Sequence, residues 1–222
     1  MTKRNIMHNS NSRDIDFPEI IFPSLLDTKP AISLEDIFYV EELKQRKFFF
    51  IDDINYLTVC DLIRHIFNWN SIDKGLPEDE RLPILLYLSS NGGDVSAGMS
   101  LVDCIQSSKT PIYAINTGMW YSMGLIIGCV AYKRFGTINS TYLMHDGSVE
   151  IYGSTSKAND RSAFNRRIDK RIKELILSRT NMTAREYDKN QRVEYFMFAD
   201  EAKEKGFIDE ILGVDIDIDS II

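Results

Sequence analysis

Two glycine-bearing turns carry the residue types from which hydrolytic chemistry can be assembled: Ser89-Ser-Asn-Gly-Gly-Asp94 and Gly118-Met-Trp-Tyr-Ser-Met-Gly124. Each closes a hydrophobic strand, lets the backbone approach a ligand through glycine, and opens a helix whose first N–H groups lack partners. Ser122 lies between Gly118 and Gly124 at the start of an apolar segment, where its hydroxyl would sit beside N–H donors suited to a developing oxyanion. The same position also suits a plain helix N-cap, and the turn alone does not separate the two readings. A serine nucleophile needs a base within hydrogen-bond reach, and the chain has three histidines, His8, His65 and His145. His8 falls in the polar N-terminal stretch and His65 within a helical pattern; His145 alone ends a core strand. Parallel strands bring their C-terminal ends to one edge of a sheet, so the strand ends at Ser122 and His145 can meet in one crevice. A satisfied structural histidine is the competing reading of His145, and its pairing with Ser122 weighs against it.

The elements that must position this pair follow from hydrophobic spacing. Ser33, followed by Glu35 and Asp36, caps a helix through about Lys47, and Lys47 to Asp52 forms a short buried strand. Val59, Ile63, Ile66 and Phe67 recur at helical spacing between Tyr56 and Trp69. Pro83 to Leu88 is a second strand, Val95 to Ser107 a helix, and Pro111 to Asn116 a third strand. GMWYSMG then makes a tight turn into a buried helix over Leu125 to Ala131, and Thr141 to Met144 is a fourth strand. Phe164, Ile168, Ile172, Leu175 and Ile176 share one face of a long helix with Arg and Lys between them. Val193 to Phe198 reads as a short strand, Asp200 to Lys205 as a helix stopped by Gly206, and Phe207 to Leu212 as the last strand. Strands alternating with helices in this way give an α/β fold of repeated β-α-β units. The expected division is a flexible arm or leader over 1–33, a folded domain over 34–213 and a C-terminal tail over 214–222.

Composition narrows the setting. A chain of 222 residues with 44% hydrophobic content can bury a substantial core. Its 33 acidic and 26 basic residues, net charge -7, provide no basic field for nucleic acid or anionic lipid. Cys60, Cys104 and Cys129 are odd in number, far apart and flanked by apolar residues, which fits reduced core thiols in the cytoplasm. No apolar run is long enough for a signal peptide or membrane span.

Both turns, together with Lys133-Arg134, Leu143-Met-His145 and Ala199-Asp-Glu-Ala-Lys-Glu-Lys-Gly-Phe-Ile-Asp209, resemble in order and spacing the Clp protease proteolytic subunit, of crotonase-like fold with a protruding strand-helix handle. The resemblance implies an ATP-dependent serine endopeptidase in which Ser122 attacks the peptide carbonyl, His145 takes its proton, and the N–H groups of Gly93 and Met123 hold the oxyanion. It further implies stacked heptameric rings forming a tetradecamer, fed with unfolded chains by a hexameric AAA+ Clp unfoldase. The chain itself would need no cofactor or metal, since the partner consumes the ATP. On this likeness the helix from about Ala158 to Ser178 interdigitates between rings, although its basic run equally suits a solvated face.

Departures from the family pattern are specific. The position of the family's histidine-orienting aspartate holds Glu194, with Asp188 in reserve. Trp120 and Tyr121 replace small residues before the nucleophile, with the expectation that they narrow the pocket or repack the turn. Two rival readings are a catalytically silent ring subunit of the same fold and an acyl-CoA hydratase or isomerase of the crotonase fold. Retention of both Ser122 and His145 argues against each.

Overall fold

A computed structural model describes residues 33–148 and 153–221, so the arm expected over 1–33 lies, except for Ser33, outside the described residues. The chain enters through α1 (Leu34–Lys44), where Ser33 Oγ accepts from Asp36 N–H and the Asp36 carboxylate accepts from Ser33 N–H. Then follow β1 (Lys47–Ile51), α2 (Tyr56–Ile72), β2 (Ile84–Ser90), α3 (Val95–Ser107) and β3 (Ile112–Tyr121). After them come α4 (Met123–Cys129), β4 (Lys133–Thr137), β5 (Thr141–Met144), α5 (Thr155–Arg179), α6 (Ala184–Asn190), β6 (Tyr195–Phe198), α7 (Ala199–Glu204) and β7 (Glu210–Leu212).

The sheet runs β1-β2-β3-β4-β7 with all of these pairs parallel. Besides β2, β3 has two further partners: Tyr113 to Asn116 pair with β4, and Met119 to Tyr121 pair with β5. β6 adds to β5 in the antiparallel sense. The segment Gly118 to Tyr121, expected as a tight turn, is therefore strand. Its backbone groups are satisfied by a partner some twenty residues onward, which no local pattern announces. The turn narrows to Ser122, and α4 starts at Met123 rather than Leu125.

Two further elements escaped sequence reading. β4 opens on Lys133-Arg134, an unpromising start for a core strand, but the Arg134 guanidinium pairs with Asp209 and donates to the carbonyls of Arg179 (2.8 Å) and Gly206 (2.6 Å). One side chain thus ties α5 to the loop after α7 and to the approach to β7. α6 begins with a Thr183/Glu186 capping box that is plainly written in the sequence. The last strand shortens to Glu210–Leu212, and α1 stops at Lys44 because Arg46 takes φ 59°. Residues 214–221 fold back, with Ile216 bridged to Leu212 and Ile221 buried against Leu85, Ile115 and Phe135. Cys104 and Cys129 are buried, but Cys60 is exposed on α2, contrary to the expectation of three core thiols.

The Arg46 turn is fixed by a buried ion pair. Its guanidinium binds both Asp73 oxygens at 2.6 Å, and Thr110 Oγ1 donates to Asp73 at 2.7 Å. Asp73 is only 2% exposed, and the hydrogen bonds from Arg46 hold its carboxyl below the usual range despite burial. Replacing Asp73 with Ala strands the guanidinium and is expected to cost about 3 kcal/mol, measured by urea denaturation. The sign with pH follows from the depressed value. The Asp73 contribution is complete above the unfolded-state pKa of about 4 and fades as pH falls through the lower folded one, so the gap between wild type and variant closes in acid.

Candidate active site

Ser122 occupies the elbow between β3 and α4 with φ 53° and ψ −119°. Apart from Arg46 it is the only non-glycine residue at positive φ among the described residues. Such a conformation costs on the order of 1 kcal/mol or more and persists only where surrounding contacts impose it. Those contacts are identifiable. Ser122 N–H donates to Leu143 O at 2.9 Å, which ties the elbow to β5 two residues before His145. The preceding Trp120 is fully buried, its indole N–H donating to Leu88 O at 3.0 Å and its ring meeting Tyr142 edge-on at 5.6 Å. The Tyr121 hydroxyl pairs with Thr141 Oγ1 at 2.9 Å, and its ring stands edge-on to Phe196. Both aromatic residues thus anchor the elbow from behind. Neither borders the crevice, so the expected narrowing of the pocket does not occur.

The glycine turn after β2 lies directly against this elbow. A Cβ on Gly92, at φ 102°, would stand 2.8 Å from Ser122 Cβ and 2.9 Å from Tyr121 O. Gly93, at φ 145°, is pinned by the extended residue Ile54, which donates to Gly92 O at 2.8 Å and accepts from Asp94 N–H at 2.7 Å. The N–H groups of Gly93 and Met123 find no acceptor among the described residues, nor does Ser122 Oγ have a hydrogen-bond partner there.

Ser122 and His145 line one cavity of about 240 Å³ together with Met123, Asp146, Asp169 and Tyr187. Sequence reading placed the first two there and missed the last two. Glu194 is exposed immediately before β6, does not border the cavity, and has neither hydrogen bond nor ion pair among the described residues. The β5–β6 register pairs Met144 with Tyr195, so one further step would set residue 145 opposite residue 194. The chain instead shifts there, Asp146 N–H donating to Gln191 O at 2.6 Å. Asp188 also stays outside the cavity, its carboxylate held by Lys173 Nζ at 2.5 Å. Burial first, and then the charges of Asp169 and Asp188, push the Tyr187 phenol up to about 12, so it remains a neutral hydroxyl. Burial likewise raises the Cys104 and Cys129 thiols to about 11, which leaves them protonated and poorly nucleophilic. Among the described residues no three His, Cys, Asp or Glu side chains converge as metal ligands, and no helix is long and apolar enough to cross a membrane. A strained serine, an imidazole on the same crevice and two unpartnered N–H groups nearby are the parts required for acyl transfer from a carbonyl substrate.

Comparison with known proteins identifies the family and the fold. The model of the Clp protease family matches residues 38–215. The ATP-dependent Clp protease proteolytic subunit 2 of Treponema pallidum (strain Nichols) is 29% identical over 183 residues, spanning 80% of this chain and 87% of the relative. A mutant ClpP1 from Listeria monocytogenes shares the fold with a TM-score of 0.71 at 23% identity, covering 83% of this chain and 99% of the other.

Proposed function

Since this chain belongs to the Clp protease family, we propose that it is the serine endopeptidase subunit of a chambered, ATPase-fed protease with Ser122 as nucleophile. The observation that carries this reading is the strained Ser122 elbow opening on the cavity that His145 also lines. His145 accepts the Ser122 proton as Oγ attacks the peptide carbonyl carbon. The oxyanion takes hydrogen bonds from Gly93 and Met123 N–H, which are unpartnered among the described residues. His145 then protonates the leaving amine, and water, deprotonated by the same imidazole, releases the acyl group. This cycle needs no cofactor in the chain; ATP is consumed by the partner.

Assembly into two stacked heptameric rings and docking of a hexameric AAA+ Clp unfoldase that delivers unfolded chains complete the reading, in the cytoplasm. Its physical support is the apolar surface the single chain leaves uncovered, including Leu34, Phe38, Phe49, Ile51 and Phe198. α5 offers a further lightly packed surface, since Ile176 alone of its 25 residues is buried. The silent-subunit alternative is tested with a fluorophosphonate probe, which forms a covalent adduct mapped to Ser122 if the site is active and none if it is not.

Glu194 is the proposed orienter of His145. Its carboxylate is uncommitted among the described residues, whereas that of Asp188 is taken by Lys173. Glu194→Gln is therefore expected to lower peptide turnover roughly 10- to 100-fold, less than the loss of a buried orienter, with Asp188→Asn causing a far smaller change. Steady-state kinetics decide this, and the opposite ranking moves the role to Asp188.

A further inference from the structure

The cavity beside Ser122 has a wall of mixed character, with apolar side chains from α4 and α5 and two carboxylates, Asp146 and Asp169. Its buried floor is formed by Ile176 of α5 and Leu125 of α4. Along α5 toward its N-terminus the wall continues as half-buried Ile172 and then exposed Asp169. Residues 169, 172 and 176 are three and four apart, so they form one stripe on the helix, ending in a carboxylate. Among the described residues Asp169 has neither hydrogen bond nor ion pair. Lys173, one turn onward, is engaged by Asp188 and lies over the Tyr187 ring. Among the described residues no lysine or arginine lines the cavity, whose other charged or titratable members are His145, Asp146 and Tyr187. Asp169 shares the cavity wall with Tyr187 and His145.

A slot with an apolar α5 stripe and two carboxylates, Asp169 at the end of that stripe and Asp146 beside His145, matches a side chain with a long methylene stem and a cationic head. We propose that Asp169 is a specificity-determining residue that favours lysine or arginine immediately before the cleaved bond, the stem lying on Ile172 and the head meeting the carboxylate. This rests on the peptidase reading of the same site. Leucine fits the slot without using the acid, and glutamate is repelled by it.

The test uses the full-length protein and fluorogenic peptides that differ only in having Lys, Leu or Glu before the scissile bond. Wild type is expected to cleave the Lys peptide best. Asp169→Asn is expected to lower the Lys-to-Leu ratio of kcat/KM about fivefold to tenfold, chiefly through KM, as fits a partly exposed ion pair. Asp169→Lys should raise cleavage of the Glu peptide relative to the Lys peptide. The rate of fluorophosphonate labelling at Ser122 reports an intact elbow in each variant without involving a charged side chain. Normal labelling with an unchanged Lys-to-Leu ratio in Asp169→Asn overturns the specificity role alone. A wild-type protein that neither labels nor cleaves any of the three peptides overturns the peptidase reading, and this inference with it.

Discussion

Ser122→Ala is expected to abolish fluorophosphonate labelling and to reduce peptide turnover by roughly 10⁴- to 10⁶-fold, the range for removing a serine nucleophile that acts with its base as a unit. The substitution is clean for structural reasons. Ser122 Oγ makes no hydrogen bond among the described residues, so Ala removes no structural contact that they contain. Ala keeps the Cβ, and the elbow is held at φ 53° by backbone and neighbours: Ser122 N–H on Leu143 O, Trp120 on Leu88 O, Tyr121 on Thr141. The variant should therefore melt within about 1 kcal/mol of wild type. If turnover of a fluorogenic peptide survives Ser122→Ala at more than a few per cent, Ser122 is not the nucleophile and the mechanism drawn from it is wrong. Ser122→Gly serves as a companion. It lacks the hydroxyl and also relieves the positive-φ strain, so it should be equally inactive yet no less stable, which separates the chemical cost from the conformational one.

The parts of this site that were legible in the sequence are those set by short-range pattern. α2 and α3 announce themselves by apolar spacing, and Ser122 and His145 by standing at the ends of apolar strands; the structure brings both to one cavity. The parts that were not legible depend on distant chain. Gly118 to Tyr121 looks like a turn until β5 pairs with it, and Trp120 looks like a pocket residue until Gly128, across the elbow, leaves room for its ring in the core. β4 hides behind Arg134, whose burial makes sense only with Asp209, 75 residues onward. Asp169 carries no local signal of a role. It is one polar residue on a highly charged helix, and only the packing of α5 beside α4 turns its face toward the nucleophile. The Thr183/Glu186 capping box is the opposite case, a local signal present in the sequence and simply unread.

Gly93→Ala is the second substitution with a large expected effect, and it acts without touching a side chain that does chemistry. A methyl group there would collide with Ile54 O and stand 2.9 Å from Ile54 N, backbone atoms that cannot rotate away. The position also has φ 145°, which L residues with a Cβ rarely adopt. The turn must therefore move, and its constraints dictate what moves with it. Ile54 is bonded to Gly92 O on one side and to Asp94 N–H on the other, so relief of the clash displaces the Gly93 N–H from its place beside the elbow. If that N–H is one of the two oxyanion donors, its loss is expected to lower kcat by about 10²- to 10³-fold with KM little changed, because the interaction forms only as charge develops on the carbonyl oxygen. Thermal unfolding monitored in parallel should show a moderately destabilised but folded protein, since the core beneath the turn is intact. A fall confined to KM would assign Gly93 to substrate binding instead, and unaltered kinetics in a folded variant would place the second donor elsewhere on the elbow.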